Sequence, residues 1–267
     1  MNKRIKSKYL QEFIKEIQFK NRNPQNIKAL ELLNDISTNP EIILDSGYDM
    51  YRCRIIAPKD KINQKKNFYG YDDKGSFVPP KEIARDLRAN YRYIPYLYCS
   101  NDPYTSVVEV RPRLGASVSV ATIIAKEKIR LLDFTMQSIP SKMTGGKKSL
   151  FSDLSLLYST PVTNEDDLLD YIPTQFIAEY AKNLGYDGIA FSSSLTPEID
   201  VSANRFNIVV FNYAKCEPKK SNVFTITGNY LDAIQNDTDP HGVIIQNYLS
   251  EQLEKRLRDN NVTKEII

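Results

Sequence analysis

Strand-length and helix-length segments succeed one another in this chain without a regular strand–helix rhythm, and that irregularity restricts the fold more than any other feature. A doubly wound parallel sheet needs a crossover helix after each strand. Here residues 116–124 and 129–134 read as adjacent strands joined by a polar turn at 126–128, whereas 150–158 and 174–184 read as successive helices. The pattern is that of an α+β domain with a mixed β-sheet core and flanking helices. Its 267 residues, 41% of them apolar, suffice to bury such a core without disulfide staples. Cys53, Cys99 and Cys216 are scattered, with no CxxC pair, and His241 is the single histidine. No metal is therefore expected, and catalysis by a Ser-His or Cys-His pair is a poor fit.

Residues 5–20 place Ile5, Tyr9, Phe13 and Ile17 on one helical stripe. Ile27, Leu30 and Leu33 start a second stripe, which Asn39-Pro40 ends. Residues 1–46 thus read as a helical N-terminal extension. After the turn at Asp45-Ser46-Gly47, residues 48–57 alternate as a strand. Tyr51, Cys53, Ile55 and Ala57 form the expected core face, and Met50, Arg52, Arg54 and Ile56 the other. Residues 58–82 read as a long polar loop, and 93–99 as a tyrosine-rich strand. Asp102-Pro103 is a helix start, with Asp102 as N-cap and Pro103 at the first helical position. That helix runs to about Arg111, where Pro112 stops it. Glu109 falls in its last turn, where the helix dipole disfavours a carboxylate. Residues 136–149 read as a loop, 188–192 and 207–211 as apolar strands, and 193–206 as a polar loop. The chain then looks irregular until 243–258, where Val243, Ile244, Tyr248, Leu249, Leu253 and Leu257 stripe a charged helix.

Several function classes lack support. Gly145-Gly146-Lys147-Lys148-Ser149 misses the first glycine of a phosphate-binding loop, and no GxGxxG occurs. The 36 basic and 33 acidic residues leave a net charge of +3, too near balance to argue for nucleic acid. Arg85, Arg88 and Arg92 interleave with Tyr91 and Tyr93, which keeps a nucleic-acid-binding or protein-interaction module as a competing reading. The longest apolar runs fall far short of the ~18 residues of a membrane helix. The basic N-terminus leads into no apolar stretch, so a cytoplasmic location is expected.

The remaining segments carry Arg, Tyr, Glu and Ser in a particular order. They are Tyr51-Arg52, then Arg88-Ala89-Asn90 leading into Tyr96-Leu97-Tyr98, then Glu109-Val110-Arg111-Pro112. Thr174-Gln175 follows, then Tyr186-Asp187-Gly188-Ile189 through Ser193-Ser194, and Asn207 before Val209-Val210-Phe211. Together they resemble the RES-domain family, named for its Arg, Glu and Ser. The resemblance spans residues 47–213, with 214–267 as a C-terminal extension ending in the amphipathic helix. Leu87 stands where the family usually has Gly. Three consecutive serines, Ser192, Ser193 and Ser194, compete for the family serine, and aligning on Phe191 selects Ser193.

The resemblance implies an ADP-ribosyltransferase-like fold and NAD as substrate rather than cofactor. It further implies a toxin of a toxin–antitoxin pair that destroys NAD by phosphorolysis or hydrolysis. Inorganic phosphate is then a candidate co-substrate, an antitoxin protein a candidate partner, and a homodimer a candidate assembly. Transfer of ADP-ribose to a macromolecule is the alternative. Glu109, Arg52 and Ser193 become the catalytic candidates. Arg54, Arg88, Tyr69, Tyr71, Ser194 and Asn207 become the NAD-binding ones, with Arg54 or Arg111 able to serve an incoming phosphate. Cleavage of the nicotinamide–ribose bond suits these residue types. Nicotinamide is already a good leaving group, so the site must grip phosphates through planar donor forks and stabilise an oxocarbenium-like transition state. The plain alternatives are an ion pair between Arg52 and Glu109 or an Asp, a strand-end cap by Ser193, and a purely structural turn at Tyr186-Asp187-Gly188.

Overall fold

The computed structural model describes residues 5–25, 27–57, 62–63, 68–137, 139–160, 168–195 and 204–228. In chain order the main elements are α1 (Lys8–Phe19), α2 (Lys28–Asn34), β1 (Glu41–Leu44), β2 (Asp49–Ile55), β3 (Ile62–Asn63), β4 (Phe68–Tyr69), β5 (Leu97–Ser100) and α3 (Pro103–Glu109). They continue with β6 (Ser117–Ala125), β7 (Ile129–Asp133), α4 (Gly145–Ser159), α5 (Ile172–Asn183), β8 (Gly188–Ser192), β9 (Phe206–Val210) and β10 (Cys216–Thr225). Eight strands make one sheet in the order β1-β7-β8-β9-β5-β2-β6-β10. Only β7 and β8 pair in parallel. This is the mixed α+β architecture that the irregular element order predicts.

Each face of the sheet has its own core. On one, Leu10, Phe13, Ile17, Leu30 and Leu33 from α1 and α2 join α4 and α5 against Leu132, Ile189 and Val209. On the other, Met50, Leu97, Ile123, Ile208 and Val210 pack together. The second compact unit, Arg113–Gly115 with Ile226–Ile267, is described at 113–115 and 226–228, where the Gly115 N–H donates to the Ile226 carbonyl at 2.8 Å. His241 and residues 243–258 lie outside the described residues.

The sequence-based boundaries at 46 and 213 do not separate sheet from extensions. β1 lies within the first 46 residues and pairs with β7, and Glu41 takes a bidentate grip from Arg130. β10, in a stretch that looked irregular, pairs with β6 along its length through a shift between Pro218 and Lys220. An edge strand that is polar and contains proline carries no apolar alternation to betray it. The tyrosine-rich strand starts at Leu97 rather than residue 93, because Tyr93 takes a positive φ of 69°. The faces of β2 are also mixed. Ile55 is exposed, whereas Met50 and Ile56, on the arginine face, are buried.

The phosphate-loop look-alike has a structural explanation. Thr144 caps α4, which starts at Gly145, inside the stretch 136–149 expected to be a loop. Lys147 is 1% exposed and donates to the Asp35 carbonyl at 2.6 Å and Thr38 Oγ1 at 2.7 Å. Burial lowers its pKa, and its donors tie α4 to the end of α2.

Candidate functional site

The sheet opens between β5 and β2. Their pairing is confined to Tyr51 opposite Ser100, whereas β2 matches β6 at seven positions. A cavity of about 400 Å³ lies there, walled by Arg52, Arg88, Ser100, Glu109, Tyr158 and Asn207 among others. Four adjacent strands (β8, β9, β5 and β2) reach it, and α3 supplies the carboxylate.

Glu109 is aimed by the start of its own helix. The Asp102 carboxylate accepts from the Thr105 N–H at 3.1 Å, and Pro103 follows it, as the sequence predicts. At the other end, Glu109 Oε1 accepts two hydrogen bonds, from Ser193 Oγ at 2.6 Å and from Asn207 Nδ2 at 2.7 Å. These donors answer the adverse helix dipole. Asn207 Oδ1 in turn accepts from Ser100 Oγ at 2.8 Å. Both residues are buried, and they face each other across β5 and β9.

Arg52 stands where the strands part. Its Nη1 donates to the Tyr98 carbonyl at 3.0 Å, so a guanidinium takes over from the missing ladder. Its Nε is buried without a hydrogen-bond partner among the described residues, and none of their carboxylates forms an ion pair with it. The ion-pair alternative with Glu109 is therefore not what the structure holds. Burial lowers the Arg52 pKa, which is the desolvation cost of a cation without an anion.

The other sequence-predicted residues divide. Asn207 and Ser193 gather at Glu109. Ser194 lines the cavity but donates to the Ser159 carbonyl at 2.5 Å. Arg88 lines it too, yet Nη1 donates to the Leu157 and Tyr158 carbonyls at 2.8 and 2.5 Å, and Nη2 to Thr160 at 2.5 Å. It caps the C-terminal end of α4, where the dipole welcomes a cation. Arg54 is away from the cavity wall: it donates to the Gly75 carbonyl, and its guanidinium lies 3.8 Å from the Tyr71 ring centre. Tyr71 shares that location, with its N–H bonded to Ser119 Oγ at 2.9 Å. The Tyr69 side chain lies outside the described residues. Arg111 lines the cavity with a positive φ of 48°.

Sequence reasoning missed Ser100, Tyr158 and Tyr171 on the wall. Ser100 had one signal, its place just before the Asn101-Asp102-Pro103 turn. The Tyr186-Asp187-Gly188 turn is structural. Tyr186 donates to Glu41 Oε1 at 3.0 Å, and Asp187 accepts from the Arg130 N–H at 3.0 Å.

The model of the RES domain matches residues 56–230. The chain belongs to the RES-domain family. Three residues of the types that name a RES domain meet at this cavity: Arg52 and Glu109 on its wall, and Ser193 through its bond to Glu109. Of the three consecutive serines, only Ser193 bonds that carboxylate. A chain in the crystal structure of the M. tuberculosis MbcT–MbcA toxin–antitoxin complex is similar to this RES chain at 13% identity. The likeness covers 74% of this chain and 93% of that one, with a TM-score of 0.43. No curated protein matches it. Among the described residues, no helix is long and apolar enough to cross a membrane, and no cluster of His, Cys, Asp or Glu could hold a metal ion.

Proposed function

We propose that this RES-domain chain is the toxin of a toxin–antitoxin pair and breaks the nicotinamide–ribose bond of NAD. The observation that supports this most is the pairing, on one cavity, of an ion-pair-free guanidinium with a carboxylate held by two donors. The antitoxin rests on family membership alone.

In this reading Arg52 receives the pyrophosphate, whose oxygens match its remaining donors. Glu109 faces the ribose. As the bond to nicotinamide breaks, its electron pair leaves with the ring and neutralises the pyridinium charge, while positive charge grows at the anomeric carbon. A fixed carboxylate stabilises that charge more in the transition state than in the bound substrate. An oxygen of phosphate or water then bonds to the anomeric carbon and releases a proton to solvent. Arg88 and Arg54 are left out of the phosphate grip, because their donors already serve carbonyls of the fold.

The test is incubation of purified protein with NAD, with and without inorganic phosphate, and identification of products by mass. Release of nicotinamide is expected in at least one of the two buffers. ADP-ribose 1″-phosphate identifies phosphate as the acceptor, free ADP-ribose identifies water, and an ADP-ribose mass on a macromolecule identifies transfer. Folded protein that releases no nicotinamide under any of these conditions contradicts the proposal.

A further inference from the structure

The hydrogen bonds at Glu109 have a direction, and the direction can be traced to one hydroxyl. An ionised carboxylate only accepts, so Asn207 must present its NH₂ to Glu109. That orientation turns Asn207 Oδ1 toward Ser100, and an amide oxygen also only accepts. Ser100 therefore has to donate. The chain reads Ser100 hydroxyl to Asn207 amide to Glu109 carboxylate, with Ser193 donating to the same oxygen. Ser100 is 2% exposed and Asn207 is 7% exposed, and both border the cavity.

We infer that Ser100 is a positioning residue: it locks the Asn207 amide in the orientation that holds the Glu109 carboxylate against the cavity. Without the hydroxyl, Asn207 Oδ1 loses its donor, and the amide is held in that orientation by its bond to Glu109 alone. A rotated amide points its oxygen at the Glu109 carboxylate, replacing attraction with repulsion. The backbone holds the pair in place, since Ser100 and Asn207 are direct cross-strand partners and Phe191 flanks Asn207 on its other side. As a role in turnover, the inference rests on the NAD-cleaving reading. The amide orientation does not.

Two measurements separate the cases. The first needs no substrate. In ¹⁵N-labelled protein, the side-chain NH₂ pair of Asn207 is identified by its loss in Asn207→Asp. It is expected to move in both Glu109→Gln and Ser100→Ala and to return in Ser100→Thr, with the backbone spectrum otherwise preserved. A pair that ignores Ser100→Ala overturns the inference. The second is kinetic. Ser100→Ala should lower kcat for NAD cleavage about tenfold and leave KM within about twofold, with Ser100→Thr restoring kcat. An unchanged kcat, or a rise in KM that accounts for the whole loss, overturns it. If the wild-type protein does not cleave NAD, the functional reading falls while the amide resonances still decide the orientation.

Discussion

Arg52 and Arg88 are both half-buried arginines on one cavity, and their surroundings assign them different work. Arg88 gives three bonds to the last carbonyls of α4. Hydrogen bonds to charged groups are worth ~1.5–3 kcal/mol each, and water recovers part of that after truncation. Arg88→Ala is therefore expected to destabilise the protein by about 2–4 kcal/mol, read as a lowered urea midpoint. Arg52 gives one bond to a carbonyl and holds a buried donor in reserve. Arg52→Lys keeps the charge but loses the planar fork, so it should raise KM for NAD at least about tenfold with a smaller change in melting temperature. A lysine variant with wild-type KM would remove Arg52 from the phosphate grip.

Among the elements, β8 leaves least room for change. A Cβ on Gly188 would lie 2.2 Å from the Val209 carbonyl oxygen and 2.7 Å from Leu131 Cδ2. Gly188→Ala should cost at least about 3 kcal/mol, since neither a neighbouring backbone nor a packed core yields easily. Thermal melting measures it. The edge strand β1 is fastened by Glu41, whose pKa the bidentate Arg130 lowers below the ordinary 4.5. A lowered carboxylate pKa gives stability that is present above 4.5 and lost as pH falls through the folded value. Stability should fall less steeply in acid for Glu41→Gln than for the wild type, as followed by urea midpoints from pH 6 down to pH 3. The element scale also shows what a sequence reveals and conceals. The cap of α3 is local chemistry, so Asp102-Pro103 placed Glu109 correctly. Arg54 was expected beside Arg52 because two residues along a strand share a face. The same two residues move the side chain about 7 Å along the strand, where it meets the segment around Gly75 and Tyr71 and not the cavity. The bond from Ser100 to Asn207 joins residues 107 apart, and no local pattern encodes that register.

For the whole molecule, the three thiols report on the core. Cys53, Cys99 and Cys216 are all buried, and burial pushes each up to about 12 from an ordinary 9.0. A thiol whose folded pKa is raised gives stability that is complete below pH 9 and is lost as the pH climbs toward 12. Alkaline unfolding should therefore begin above pH 9, and alkylation of native protein at pH 8 should be slow beside that of urea-unfolded protein. Rapid labelling of all three thiols in the native state would contradict the packing of the core around them. That packing holds the strands around the opening between β5 and β2, and the account depends on chemistry there. The most direct test compares nicotinamide release from NAD by the wild-type protein and by Glu109→Gln, after melting curves establish that both are folded. The account predicts release by the wild type and a loss of at least about a thousandfold in kcat for Glu109→Gln. Equal release by the two proteins would show that the carboxylate at the centre of this network does not carry the reaction.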